Sequence, residues 1–313
     1  MSHFKIILTD GLEERGQEIL RVAGQVDNRP NIQPEELLQV IGEYEAMIVR
    51  GRTKVTQALF DAAVRLRVVG RAGVGIDNID LQAARDHGVC VVNAPASTTL
   101  AVAELTLGLL LALARSIPRA DAAMKAGQWL KKELIGIEIS GKTLGVVGMG
   151  HIGAAVAQRA TALGMSVVGY DAWLPAEEIA KRGARAASLA EVYAQADFIT
   201  YHIPLTAETR QMVDAQALAS MKPGVRLICT ARGGIIDEAA LLSALESGQV
   251  AGAALDVFAQ EPPGATALIA HPNVIATPHI GAQTEEAQAR AAEDIAHEVL
   301  AALEDRPLRW RVV

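Results

Sequence analysis

Nine short runs, most of them continuously apolar and rich in Val and Ile, recur along the chain with helix-patterned stretches between them. They are KIILT from Lys5, AMIVR from Ala46, LRVVG from Leu66, VCVVN from Val89, TLGVVG from Thr143, MSVVGYD from Met165, DFITYH from Asp197, VRLICT from Val225 and VAGAALDVF from Val250. A strand that is apolar on both faces must be covered on both faces. Parallel sheets joined by right-handed helical crossovers meet that demand. The stretches between are amphipathic, as in PEELLQVIG and DEAALLSALESG; the second opens on Asp237 as N-cap and stops at Gly248. The pattern predicts an α/β chain with parallel sheets. It contains no short-period repeat and no low-complexity tract.

At 313 residues the chain has room for two domains, on a prior of about 150 residues each. Hydrophobic residues at 50% and charged residues at 21% are enough to bury a large core. The net charge of -7, from 29 basic and 36 acidic residues, argues against a general binder of nucleic acid or of an anionic membrane. An anionic ligand must therefore be met by locally placed donors. Cys90 and Cys229 are too few for a disulfide scaffold or a cysteine-only zinc site, no metal is expected, and each reads as a small buried hydrophobe. MSHFKIILTDG carries no signal-peptide pattern. The most apolar segment, Ala101 to Ala114, is interrupted by Glu104 and reads as a buried helix. A soluble cytoplasmic protein is the expectation. No linker divides the chain, and the last helix, Thr284 to Leu303, follows a loop and is able to cap either half, which allows a discontinuous first domain.

KTLGVVGMGHIGAAVAQRATALGMSVVGYD is the most informative stretch. A buried strand runs into Gly148, Gly150 and Gly153, a helix starts there, and a second strand ends in Asp171, 18 residues after Gly153. The first glycine permits a tight turn, the second lets a pyrophosphate approach the backbone, and the third lets helix and strand pack closely. The helix N-terminus offers unpaired N–H groups to the diphosphate, and Asp171 is placed to accept from both ribose hydroxyls. Strand, helix, second strand and acid in order make this a dinucleotide site and not an isolated glycine turn. With Asp171 opposing a 2′-phosphate and no Arg directly after it, NAD is favoured over NADP. Gly73-Val74-Gly75 lacks the third glycine, Asn78 standing in its place. It reads either as an anion-binding nest of successive N–H groups or as an ordinary strand-end turn.

Redox chemistry on a hydroxyl needs a proton carrier and a group to hold the substrate's anionic end. Of seven histidines, His3 is terminal, His297 lies on the solvated face of the last helix, His87 ends a helix as a cap, His151 sits in the glycine turn, and His271 precedes a proline in a loop. His202 in TYHIPLT and His279 in ATPHIGAQT both follow strands, and position alone does not separate them. Arg232 in TARGGIIDE follows a buried strand and has the fork geometry that a 2-oxo acid requires, with an exposed arginine as the plain alternative. Glu261, beside two prolines, reads by itself as an exposed carboxylate.

Taken together, GMGHIG with Asp171, HIPLTAETR, ARGGIIDEAAL, ALDVFAQEPP and HPNVIATPHIGAQT resemble the D-isomer-specific 2-hydroxyacid dehydrogenase family over nearly the whole chain. The resemblance implies two Rossmann-like domains with a cleft between them: a discontinuous, flavodoxin-like substrate domain from 1–96 and 283–313, and an NAD domain from 97–282. It implies a catalytic set of Arg232, Glu261 and His279, which resolves the choice of histidine. His279 would be the acid/base, Glu261 its partner raising the imidazole's pKa, and Arg232 the clamp on the carboxylate and C2 oxygen. It implies cofactor contacts at Gly148, Gly150, His151, Ile152, Gly153, Asp171, His202, Pro204, Thr209 and Thr230, with Asp256 on the nicotinamide carboxamide. Gly73, Val74 and Gly75 would bind the substrate carboxylate.

Within the family, IVRGRTKVT, RAGVGIDNID, NAPASTTLAVAEL, GQWLKKELIGIEISGKTLG and TPHIGAQTEEAQ are most similar to members acting on D-3-phosphoglycerate in serine biosynthesis. Arg50 and Arg52 would then take the substrate phosphate, with Lys131 and Lys132 adding charge across a dimer. His151, Thr98 and Cys229 stand where the family usually has Arg, Asn and Asn, which implies a weaker or pH-dependent hold on the cofactor at His151. With the sequence ending at Val313, feedback through the regulatory C-terminal domain of longer relatives is not expected. The expected activity is hydride transfer between a D-2-hydroxy acid and NAD, first D-3-phosphoglycerate, otherwise glyoxylate or hydroxypyruvate. The rival from another class is a non-catalytic NAD sensor. The expected partners are a small 2-hydroxy or 2-oxo acid and a second copy of the chain (a homodimer or dimer of dimers through the helix near Thr99), with no nucleic acid and no membrane.

Overall fold

The computed structural model describes residues 4–313; His3 lies outside them. The chain divides into two units, one running to Thr99 and resuming from Ala282 to Val313, the other from Leu100 to Gly281.

The first unit holds β1 (Phe4–Leu8), β2 (Gly24–Asn28), β3 (Ala46–Val49), β4 (Val68–Arg71) and β5 (Cys90–Asn93), all pairing in parallel in the order β2-β1-β3-β4-β5. Alternate residues of each strand feed cores on opposite faces. Ile7, Met47, Val49, Val69 and Val91 pack on one, and Ile6, Leu8, Ala46, Ile48, Val68 and Val92 on the other. The second core is completed by the long helix Glu285–Leu303, whose Ala292, Ile295, Ala296, Val299 and Leu303 are buried. Thr284 caps that helix by accepting from the Ala287 N–H at 3.1 Å.

The second unit holds β6 (Thr143–Val147), β7 (Ser166–Tyr170), β8 (Arg185–Ala186), β9 (Phe198–Tyr201), β10 (Val225–Cys229), β11 (Val250–Leu255) and β12 (Val274–Ala276). They too pair in parallel throughout, in the order β12-β11-β10-β9-β6-β7-β8. Chain order reverses between β6 and β9, the doubly wound arrangement whose ligands bind beyond the carboxyl ends of the strands at the reversal. The expected helices are present, Asp237 capping Glu238–Glu246 and Gly248 following it at φ 78°.

Three strands escaped the sequence pattern: β2, β8 and β12, all at sheet edges. An edge strand pairs on one side and needs less apolar covering, so GQVDN carries polar residues, while β8 and β12 are very short. Cys229 is buried as expected, but Cys90, at the start of edge strand β5, is only partly so. The apolar segment is a helix, Thr99–Arg115, largely buried. Among the described residues no single helix is long and apolar enough to cross a membrane. That helix and the next, Ile117–Lys125, reach the length only together and are bent by 67°.

Gly16, on the Glu14–Arg21 helix, marks how closely the last helix is seated: a Cβ there would stand 2.6 Å from the Ala292 carbonyl oxygen. Gly16→Ala gains about 1 kcal/mol of helix propensity, whereas forcing the backbone apart costs about 1–3 kcal/mol. A net loss is expected, read as a lower urea midpoint; a raised midpoint would show that the two helices have slack.

Candidate active site

Because every strand of the second sheet points the same way, its candidate residues leave along one edge. The glycine turn follows β6, Asp171 follows β7, His202 follows β9, Arg232 lies beyond β10, Asp256 and Glu261 beyond β11, and His279 beyond β12.

The glycine turn meets the steric requirements of a phosphate cradle. Gly148 has φ 94°, and a Cβ there would lie 2.6 Å from the His202 carbonyl oxygen. A Cβ on Gly153 would fall 2.0 Å from the Gly148 carbonyl oxygen, so the helix packs directly on the turn. A Cβ on Gly150 would meet nothing within 4 Å, which leaves the approach to the helix N-terminus open. The helix begins at His151, with His151 exposed and Ile152 partly buried against the core. Asp171 is anchored by backbone: Oδ2 accepts from Met149 N–H at 2.8 Å, and Oδ1 from Trp173 and Leu174 N–H at 2.9 and 3.2 Å. Arg182, missed in the sequence, donates to the Met149 carbonyl at 2.8 Å and braces the same turn.

His202 and His279 differ in kind. The His202 Nε2 shares a 3.0 Å hydrogen bond with Thr200, its Nδ1 is buried without a partner among the described residues, and burial pushes the imidazole down to about 3. A ring that stays neutral throughout the physiological range does not serve as a proton carrier there. His279 is half exposed, and its Nδ1 lies 2.7 Å from Glu261 Oε2. The other oxygen of Glu261 accepts from the Phe258 N–H at 3.1 Å. A carboxylate on Nδ1 fixes the tautomer, leaves Nε2 to exchange protons, and stabilises the ring once charged.

The Arg232 turn packs on the segment leading to Glu261: a Cβ at Gly233 would be 1.7 Å from the Phe258 carbonyl oxygen. Arg232 Nη1 donates to the Ala231 carbonyl at 2.6 Å. Burial pushes the Cys229 thiol up to about 11, so it remains a thiol, and its Sγ lies 3.7 Å from the Arg232 carbonyl. Thr230 bonds to Thr106 at 2.9 Å; because Thr106 donates its one proton to the Val102 carbonyl at 2.8 Å, Thr230 is the donor and keeps acceptor capacity. Thr209 donates to the Pro204 carbonyl at 2.7 Å and knits the loop after His202.

In the first unit, Gly73 has φ 138°, and the Gly73–Gly75 turn is held from β5 by Asn93 donating to the Val74 carbonyl and by Ala94 N–H donating to that of Gly73, both at 2.9 Å. Arg71 folds over it, its Nη1 1.7 Å from where a Gly73 Cβ would stand. Sequence reasoning passed over Arg71, although its place at the carboxyl end of β4 was a signal. Arg50 and Arg52 follow β3, where the strand order of this sheet also reverses. Arg52 is committed locally: it donates to the carbonyls of Thr9 and Ile32 and pairs with Asp10 at 3.3 Å.

Gly153→Val is expected to weaken NADH binding at least about tenfold, the equivalent of about 1.4 kcal/mol, in fluorescence titrations, with circular dichroism unchanged. Retained affinity would show that the helix does not need to approach the turn so closely.

Residues 107–281 match the family described as D-isomer specific 2-hydroxyacid dehydrogenase, NAD binding domain. The D-3-phosphoglycerate dehydrogenase of Synechocystis sp. is 45% identical over 308 residues, which cover 98% of this chain and 56% of that protein. The chain thus spans about half the length of the curated relatives it matches. Among solved structures, a glyoxylate reductase from Paecilomyes thermophila aligns with a TM-score of 0.91 at 31% identity, covering 100% of this chain and 99% of that one. The D-lactate dehydrogenase of Aquifex aeolicus, complexed with NAD and lactic acid, aligns with a TM-score of 0.84 at 30% identity, covering 96% of each. The glycine turn and Asp171 fall within the matched NAD-binding domain, and NAD is the cofactor that this unit is built to hold. The chain belongs to the D-isomer specific 2-hydroxyacid dehydrogenase family.

Proposed function

We propose that this chain is an NAD-dependent dehydrogenase of a small D-2-hydroxy acid, and that the acid is D-3-phosphoglycerate, oxidised to 3-phosphohydroxypyruvate. The observation that carries the reading is the 2.7 Å contact between His279 Nδ1 and Glu261, on the sheet edge that also bears the dinucleotide turn. The names of the relatives favour the phosphorylated substrate.

NAD supplies the acceptor for the hydride that leaves C2. The Gly148–Gly153 turn and the helix N-terminus hold the pyrophosphate, with His151 and Ile152 beside it, and Asp171 takes the ribose hydroxyls. His202, Pro204, Thr209 and Thr230 are assigned to the cofactor's flank. His279 Nε2 takes the hydroxyl proton during oxidation and returns it during reduction, and Glu261 balances the charge that appears on the ring. Arg232 grips the carboxylate and the C2 oxygen through its two-pronged fork. The Gly73–Gly75 turn is assigned to the carboxylate and Arg50 to the phosphate, while Arg52 holds the loop between them and β1.

Initial rates with D-3-phosphoglycerate, hydroxypyruvate and glyoxylate, using NAD(H) and NADP(H), test the reading. His279→Ala should lower kcat by about 10² to 10⁴; near-normal turnover removes it as the acid/base. Arg50→Ala should cost the phosphorylated substrate roughly tenfold or more in kcat/KM, about 1.4 kcal/mol or above, and leave glyoxylate largely unaffected. Equal losses on both would move the assignment to glyoxylate or hydroxypyruvate reduction.

We also propose that two copies associate through the Thr99–Arg115 helix and the segment after it. Leu111, Ile117, Met124, Trp129 and Ile135 are exposed along this stretch, Ile135 to 87%, and association would take their apolar surface out of water. Sedimentation should give twice the chain mass, and Trp129→Ser with Ile135→Asp should halve it; a wild-type monomer defeats the proposal.

A further inference from the structure

The sheet of the first unit stops pairing just where Arg50 begins. The last ladder bonds on the two sides of β3 run from the Thr9 N–H to the Ile48 carbonyl at 3.1 Å and from the Ala72 N–H to the Val49 carbonyl at 2.9 Å. Residues 50–53 leave this edge as an irregular loop, whose backbone groups need other partners.

Two side chains from flanking loops supply them. From beyond β1, Asp10 Oδ2 accepts from the N–H groups of Arg50 and Thr53 at 2.8 and 3.2 Å, and Oδ1 accepts from the Thr53 hydroxyl. From beyond β4, Asn78 Nδ2 donates to the carbonyls of Arg50 and Thr53 at 3.1 and 2.7 Å. One side chain thus takes the donors at both ends of the loop, and the other serves the acceptors. The Asp10 side chain is only 4% exposed and Asn78 is buried, so water competes little for these bonds.

The same contacts sort the two arginines. Arg52 pairs with Asp10 at 3.3 Å, which balances its charge. The Arg50 guanidinium makes no hydrogen bond or ion pair among the described residues, and a Cβ at the neighbouring Gly51 would meet nothing within 4 Å. Arg50 therefore combines a fixed backbone with an uncommitted fork suited to an anion with several acceptor oxygens.

We propose that Asp10 and Asn78 are the positioning residues for Arg50: they pin the 50–53 loop from its two sides and so set the preference for a phosphorylated acid over glyoxylate. Groups that grip a ligand are productive only within about 0.5 Å of the right geometry, and supporting hydrogen bonds supply that precision. The proposal rests on Arg50 as the phosphate contact, but the clamp itself is readable without substrate.

The test compares the full wild-type chain with Asp10→Asn and Asn78→Asp, each alone and combined with Arg50→Ala. Asp10→Asn turns an amide NH2 toward N–H donors, and Asn78→Asp sets a carboxylate against two carbonyls, with little change of shape in either. Each should raise KM for D-3-phosphoglycerate about tenfold, while kcat, KM for glyoxylate and Kd for NADH change less than about threefold. On the Arg50→Ala background neither should raise KM further, since the effect passes through a guanidinium already removed. Hydrogen exchange read by mass spectrometry should show the 50–53 amides exchanging at least about tenfold faster in both variants, with circular dichroism unchanged. Equal losses on both substrates, or the same loss with and without Arg50, overturn the proposal in favour of a general structural role. So does wild-type exchange across 50–53. If neither variant folds, Thr53→Val, which removes only the hydroxyl, decides: faster exchange at Arg50 upholds the clamp and unchanged exchange overturns it. If Arg50→Ala itself leaves KM for the phosphorylated acid intact, the phosphate assignment falls, and the exchange measurement alone decides whether the pair clamps the loop.

Discussion

Every strand pair in the seven-stranded sheet is parallel, and the chemistry of this unit follows from that one constraint. Parallel strands must each be left by a crossover, so all their carboxyl ends emerge on the same edge. The loops there carry backbone groups that the sheet does not pair. Where the crossovers part, between β6 and β9, sheets of this kind bind their ligands beyond the strand ends. The glycine turn, Asp171, His202, Arg232, Glu261 and His279 share an edge because the strands share a direction, although 131 positions separate Gly148 from His279 (279 − 148).

A second regularity governs how those loops are made rigid. Just past the ends of three strands stands an aspartate whose carboxylate gathers loop donors. Asp10, after β1, takes the N–H groups of Arg50 and Thr53 and the Thr53 hydroxyl. Asp171 takes those of Met149, Trp173 and Leu174, and Asp256 those of the turn around His279. A carboxylate offers about four acceptor positions and makes stronger hydrogen bonds than a neutral oxygen. One such residue can therefore tie down a loop that has no ladder of its own. Glycines do the complementary work: Gly148, Gly153 and Gly233 allow backbone to meet backbone where a side chain would intervene.

Much of this was legible in the residues, for reasons that differ from place to place. The central strands announced themselves because burial on both faces demands unbroken apolar runs; β2, β8 and β12, paired on one side only, carried no such demand and were missed. Asp237 and Thr284 were readable as helix starts because capping is local chemistry, complete within four residues. Arg182 and Thr106 were passed over for the opposite reason. Each acts on a partner brought to it by the fold, Thr106 on Thr230 across 124 positions.

By itself the sequence determined the class of fold, the dinucleotide turn with its acid, and a short list of residues able to carry protons or grip an anion, because those depend on periodicity and on spacings within one βαβ unit. Position in the chain did not separate His202 from His279; the resemblance chose between them, and the tertiary structure supplied the physical reason. Both follow strands and both are imidazoles, but one ring is desolvated and held neutral while the other stands half exposed against a carboxylate. The tertiary structure also showed the last helix packed on the first unit and Arg52 committed to its own loop. Burial and partnership between distant positions are set by how sheets stack helices on their faces, and no local pattern of residues encodes them.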